Sequence, residues 1–176
     1  MGARRQSTRD STSAKLVSQF LAEMDGFTQD NHGVLVLAAT NVPWSVDGAF
    51  LRPGRFDRTL FVPPPDREAR EVILDIHLRE RPHEDGLDLK DLSRRTKGFS
   101  GADLEALVEE AADLAIEDTL EKGEEVPMTT RHLKEALGEL RPTTLDWLST
   151  ARNHARYADE GGRYREVLDF LDRFGK

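Results

Sequence analysis

The chain has 176 residues, 33 of them acidic against 25 basic, giving a net charge of −8, and 38% are hydrophobic. That apolar content supplies a core for one domain or two small ones. The acidic balance argues against nucleic acid as a partner, and no run of about 18 apolar residues offers a membrane span. With no cysteine there are no disulfides, cysteine zinc sites or thiol nucleophiles, and the histidines at 32, 77, 83, 132 and 154 fall in no metal-ligand spacing.

The N-terminal stretch, residues 1–12, is polar with Arg4, Arg5 and Arg9, and reads as loose chain. No apolar segment follows it, so it is not a signal peptide, and the expected location is cytoplasmic. From Ser13, the apolar residues Leu16, Val17, Phe20, Leu21 and Met24 recur at three- and four-residue steps, which predicts a helix. Asp25-Gly26 ends it, glycine being able to take the left-handed cap. After a turn at Asn31-His32-Gly33, the unbroken apolar run Val34 to Thr40 has the length of a parallel strand covered on both faces. Thr40-Asn41 lies at its carboxyl end, where open α/β sheets place their ligands. Val42 to Leu51 predicts a short helix after a proline turn, and Arg52-Pro-Gly-Arg55 a tight turn. Arg58 to Val62 reads as a second strand, closed by the prolines at 63, 64 and 65.

Beyond Pro65 the chain is helical. Asp66 can cap a helix whose apolar face is Val72, Ile73, Ile76 and Leu78. A short helix follows over Leu87 to Arg95. Ser100-Gly-Ala-Asp103 has the form of a capping box, with Asp in place of the usual Glu or Gln. It opens a long helix burying Leu104, Leu107, Val108, Ala111, Leu114 and Ala115. Thr129 or Thr130 caps the next helix, carrying Leu133, Ala136, Leu137 and Leu140, and the four helices can share one core. Pro142-Thr143-Thr144 starts a fifth helix with Trp147 and Leu148. Gly161-Gly162 separates it from a last segment, Tyr164 to Phe174.

Several of these segments carry a resemblance. Ala39-Thr40-Asn41, Asp47 and Leu51-Arg-Pro-Gly-Arg-Phe-Asp57 resemble the second region of homology of AAA ATPases. Gly98-Phe-Ser-Gly-Ala-Asp-Leu104 resembles the nucleotide-contacting turn of their lid domain. Val17 to Gly26, Pro64-Pro65-Asp66 and His77 within Ile-His-Leu fall in register as well. The resemblance runs over about residues 13–140, in the family's order, and is to the cell-division-cycle and valosin-type unfoldases. It implies an α/β remnant, two parallel strands with a helix from the C-terminal part of a P-loop AAA sheet. An all-α lid bundle and C-terminal helices would follow. The domains it implies are 1–65, the nucleotide-binding part; 66–140, the lid; and 141–176, a C-terminal extension.

The resemblance also implies roles. Asn41 is similar to the family's sensor-1 residue, whose amide can donate to a γ-phosphate oxygen and accept from the attacking water. A simple turn-forming asparagine before Val42-Pro43 is the other reading of that residue. Arg52 and Arg55 resemble arginine fingers, which offer planar, permanently charged donors to phosphate in a neighbouring subunit. A structural ion pair, with Asp47 or Asp57, is the alternative for them. His77, Gly101 and Ala102 resemble the residues lining adenine and ribose, the small residues letting the backbone approach closely.

Two family motifs are missing. The sequence has no phosphate-cradling G-x-x-x-x-G-K-S/T and no Asp-Glu metal motif at a strand end. Val72-Ile-Leu-Asp75 imitates the latter, but with helical period. The implied cofactors, ATP and Mg²⁺, therefore belong to a complete enzyme, with the magnesium ligands elsewhere. Its partners would be other AAA subunits in a hexameric ring and a protein substrate. The isolated chain is expected to be inactive as an ATPase. A non-enzymatic module docking on complete subunits is the competing expectation. A membrane-bound AAA protease is disfavoured because no His-Glu-x-x-His follows. The two strands, lacking sheet neighbours, are expected to be poorly ordered while the lid bundle folds alone.

Overall fold

The computed structural model describes residues 15–26, 31–157, 162 and 164–174. The stretch 1–12, expected to be loose, lies outside them. The chain divides into two compact units, Met1–Leu60 and Phe61–Lys176. The division falls a little before Pro65 because Phe61 already packs with the C-terminal helices, stacked on Trp147 at 6.0 Å and edge-on to Phe170 at 5.6 Å.

In the first unit, helix α1 spans residues 15–24. It ends as its sequence requires: Asp25 N–H donates to Leu21 O, and Gly26 takes φ +70° with its N–H on Glu23 O. Its Phe20 meets Phe50 and Phe56 at ring distances of 6.0 and 6.4 Å, and these two lie 6.3 Å apart. The three rings hold α1 against the 43–56 region. There, the single short helix expected over Val42–Leu51 is two 3-10 turns, Pro43–Ser45 and Gly48–Leu51. Asp47 interrupts them, its carboxylate accepting the Ala49 N–H as cap of the second turn.

The segments expected as parallel strands, Val34–Thr40 and Arg58–Val62, form no ladder among the described residues. Leu35 and Leu37 are each 87% exposed and Val62 85%. A parallel strand requires neighbours to take its N–H and C=O groups and cover its faces. The described residues offer these segments no such neighbour. The α/β part of the expected fold is thus not seen among the described residues, where Asn41 follows an irregular segment rather than a sheet rim.

The second unit is helical: α2 (Arg67–Leu78), α3 (Leu89–Arg95), α4 (Gly101–Lys122), α5 (Thr130–Glu139), α6 (Thr144–Tyr157) and α7 (Arg165–Phe174). Each of the first three starts on a side-chain cap. Asp66 accepts from Ala69 N–H at 2.8 Å, Asp88 from Asp91 N–H at 2.9 Å, and Ser100 closes a reciprocal capping box with Asp103. Helix α4 ends at Gly123 with φ +69°. Helices α2 to α5 bury one core, with Leu74, Leu104, Leu107, Val108 and Leu133 fully inaccessible. Helices α6 and α7 pack on each other and bury a second, smaller set: Ala151, Ala155, Tyr164, Val167 and Leu171.

One face was misjudged from sequence. In α2 the buried residues are Arg70, Leu74 and Leu78, with Ile73 at the edge, whereas Val72 and Ile76 stay 56% and 53% exposed. The four-residue step from Arg70 sets the inner face, and an arginine is a weak apolar signal. Arg70 is nonetheless only 6% exposed, because its guanidinium is consumed by backbone carbonyls. Nε and Nη2 donate to Ser93 O at 3.1 and 2.7 Å, and Nη1 to Pro65 O at 2.8 Å. One side chain therefore ties α2, the end of α3 and the proline connector together.

Candidate functional site

The Arg52–Arg55 turn is held by a set of bonds within the first unit. Gly54 at φ +85° supplies the left-handed position, and Arg55 N–H closes the turn on Arg52 O at 3.1 Å. Arg55 then fastens the turn to its surroundings. Its Nε and Nη2 fork onto the Asp25 carboxylate at 2.8 and 2.6 Å, and its Nη1 donates to Ala49 O at 2.6 Å. This ion pair uses Asp25, not Asp47 or Asp57, the partners nearer in sequence. Asp25 lies 30 residues upstream, and nothing in the local pattern connects it to Arg55. The hydrogen bond from Arg55 holds the Asp25 carboxyl below its usual range, with the Arg52 charge adding through space. Asp25 in turn holds the Arg55 guanidinium above its own usual range. Arg52 is exposed. The bidentate geometry makes the pair directional, and it fixes where the turn points.

Asn41 is exposed, just after Thr40, whose hydroxyl accepts the Val42 N–H at 3.0 Å. Asn41, Arg52 and Arg55 thus all belong to the first unit, and His77, Gly101 and Ala102 to the second. His77 lies half-buried in the last turn of α2.

Gly101 and Ala102 open α4. Its capping box uses the Ser100 Oγ on Asp103 N–H at 3.1 Å and the Asp103 Oδ2 on Ser100 N–H at 2.8 Å. Burial pushes the Asp103 carboxyl up, but hydrogen bonds from Ser100 and Thr143 outweigh it and hold it below the usual range. Gly101 has a negative φ region available to any residue, and a Cβ placed there would meet nothing within 4 Å. Neither backbone conformation nor packing demands glycine at this position, and its bare face opens outward.

At the far end of the lid a polar cluster secures α5. Glu84 Oε1 accepts both the N–H and the hydroxyl of Thr130 at 2.7 Å, and these bonds hold its carboxyl below the usual range. His132, 1% exposed, accepts the Thr129 N–H on Nδ1 at 3.0 Å. Its Nε2 lies 2.8 Å from Arg131 Nη2 and 3.4 Å from Asp118 Oδ2. Asp118 also takes Lys122 at 3.0 Å and Arg131 at 2.6 Å, and its carboxyl is lowered to about 2. These groups brace helices. Arg70, Glu84 and Asp118 carry no local signal for Ser93 O, Thr130 and Arg131, partners 23, 46 and 13 residues away that helix packing brings near.

An open groove of about 340 Å³ is lined by Phe61, Pro63, Glu166, Asp169, Phe170 and Arg173, and so contains none of the expected nucleotide residues. No group of three or more His, Asp or Glu among the described residues could hold a metal ion. Within the second unit, the bare backbone at Gly101 leaves room for a ligand beside the lid turn. No helix of the described residues is long and apolar enough to cross a membrane.

Comparison with known proteins places both units. Residues 1–64 match the ATPase family associated with various cellular activities (AAA), and residues 86–135 match the AAA+ lid domain. The chain is 41% identical over 139 residues to the cell division cycle protein 48 homolog of Archaeoglobus fulgidus, an alignment covering 73% of this chain and 19% of that protein. It is 36% identical over 162 residues to the cell division control protein 48 homolog B of Arabidopsis thaliana, covering 90% of this chain and 26% of the relative. The ATP-dependent zinc metalloprotease FtsH 2 of Salinibacter ruber is 54% identical over 99 residues, covering 56% and 14%. Both the unfoldase and the protease branch are therefore represented among the relatives, and the chain spans between a seventh and about a quarter of their lengths. With the AAA match over residues 1–64, the AAA+ lid match over 86–135 and these relatives, the chain belongs to the AAA ATPase family.

Proposed function

We propose that this chain serves as part of an AAA ATPase subunit, supplying the sensor-1 asparagine, the arginine turn and the lid. The phosphate-gripping loop and the metal ligands come from other polypeptide. In the complete ring, a hexamer, hydrolysis would be coupled to unfolding or remodelling of a protein substrate.

The observation that carries this reading is the fastening of the arginine turn. Arg55 spends its guanidinium on Asp25 and Ala49 O, while Arg52 on the same turn is left exposed. Such a turn presents one permanently charged, planar donor in a defined direction, which is what stabilising charge on a transferring phosphoryl group requires. On this reading Arg52 reaches the γ-phosphate bound in a neighbouring subunit, and Arg55 orients the turn that carries it. Asn41 donates its amide N–H to a γ-phosphate oxygen and accepts from the attacking water through its amide oxygen. Gly101 and Ala102 let the lid backbone approach adenine and ribose, with His77 beside them. When bound, ATP would supply the reactive phosphoanhydride and Mg²⁺ would offset the charge of its phosphates.

Phosphate release tests the proposal. The isolated chain should show no turnover. The partner for the second arm is a family member that carries the phosphate loop and metal motif but has its own finger arginines replaced. Adding this chain should restore hydrolysis, and Arg52→Ala should remove most of the gain, a loss on the order of 10³-fold, while leaving nucleotide binding intact. Robust turnover by the pure chain, abolished by Asn41→Ala, would show that the catalytic parts are differently distributed.

A further inference from the structure

The lid turn has two unlike sides. On one side the residues after α5 press against it. A Cβ on Gly98, which sits at φ +85°, would lie 3.7 Å from both Pro142 Cβ and Leu145 Cδ2 and 3.8 Å from Thr144 Oγ1. On the other side Gly101 faces open space.

The packed side is also bolted. Asp103 Oδ2, which already accepts the Ser100 N–H that closes the capping box, accepts the Thr143 N–H at 3.2 Å and the Thr143 hydroxyl at 3.1 Å. The Thr144 hydroxyl donates to Gly98 O. The carboxylate that starts α4 is thus the same one that holds the start of α6. Phe99, between these bonds, is buried in the lid core.

A strap positions something only if its far end is fixed. Here α6 is anchored by Trp147 stacked on Phe61 at an interplanar angle of 5°, and by Ala151 and Ala155 buried in the small core shared with α7. The strap lies outside the lid-domain match, which ends at residue 135.

We infer that Pro142–Leu145 is a positioning strap for the Gly98–Asp103 turn, with Thr143 and Thr144 as positioning residues that aim its open Gly101–Ala102 face at an adenine nucleotide. The C-terminal helices α6 and α7 are then the anchor of the nucleotide-contacting turn. The ligand half of this inference rests on the reading of Gly101 and Ala102 given under Proposed function. The mechanical half rests on the hydrogen bonds alone. Losing the Thr143 hydroxyl leaves Asp103 with fewer donors and frees the box to open, because a buried carboxylate depends on its full set of donors.

The test uses the full ¹⁵N-labelled chain with ADP as probe, following the Gly101 and Ala102 amides on titration and the Ser100 amide by hydrogen exchange. Thr143→Val should weaken ADP about tenfold and speed Ser100 exchange about tenfold, leaving the Leu107 and Leu133 amides and the thermal midpoint in place. Thr143→Ser, which keeps the hydroxyl, should restore both readouts, and Thr144→Val should act in the same direction as Thr143→Val. Unchanged Ser100 exchange in both valine variants overturns the strap. So does a general loss of protection that includes Leu107, which would mark Thr143 as a plain structural residue. If the wild-type chain gives no ADP response at Gly101, the nucleotide reading of the turn fails. The strap is then decided by Ser100 exchange alone.

Discussion

Replacing Arg70 by methionine keeps most of the volume of the side chain but removes its donors. The structure gives the guanidinium three hydrogen bonds to carbonyl oxygens, two on Ser93 and one on Pro65. Hydrogen bonds to a charged group contribute roughly 1.5–3 kcal/mol each, so the gross loss is several kcal/mol. Two effects offset it. The variant no longer desolvates a guanidinium, and that burial already lowers the Arg70 pKa. The abandoned carbonyls are also not fully stranded: Thr96 Oγ1 still reaches Ser93 O at 3.4 Å, and Pro65 is not buried. The net expectation for Arg70→Met is a destabilisation of about 2–3 kcal/mol. Urea unfolding of the full chain followed by helical circular dichroism measures it, with hydrogen exchange at Thr96 and Phe99 as the local check. A change under about 0.5 kcal/mol, within the range of an ordinary surface substitution, would refute the claim that this one side chain ties the connector to α2 and α3.

The remaining predictions use the same core and the same cluster. Leu107→Ala, at a position with no exposure, should cost about 2–5 kcal/mol and lower the melting of α2–α5 as one cooperative unit. The Asp118 carboxyl, held at about 2 by Lys122, Arg131 and His132, binds protons less readily folded than unfolded, where its value is 3.8. Its contribution is therefore complete above pH 4 and lost as the pH falls through about 2. Asp118→Asn should flatten the acid limb of the stability curve in that window and leave the neutral-pH fold in place; an unchanged acid limb would remove Asp118 from the account.

Helix starts were legible because they are local. Asp66, Ser100 and Thr129 each meet their capping partners within three residues, so the spacing alone carries the information. The inner faces of α4 and α5 were legible for the same reason, apolar residues recurring every three or four positions. The face of α2 was not, because the residue that begins it, Arg70, is buried by carbonyls brought in from α3 and the connector. The candidate site divides in the same way. Asn41, Arg52, Gly101 and Ala102 were singled out by motif order. That Arg55 clamps Asp25, and that Thr143 clamps Asp103, involves partners 30 and 40 residues apart, and no sequence period marks such distances.

The sequence by itself determined family, helix order and caps, since motif spacing and short-range hydrogen bonds are properties of neighbouring residues. It also marked Val34–Thr40 as an apolar run in search of a sheet. Only the tertiary structure decided that this run forms no ladder among the described residues, that Arg55 pairs with Asp25, and that Thr143 and Thr144 bond to Asp103 and Gly98 O. Strand pairing, ion pairing and hydroxyl–carboxylate bonds all depend on which distant groups arrive together, and that is settled by packing.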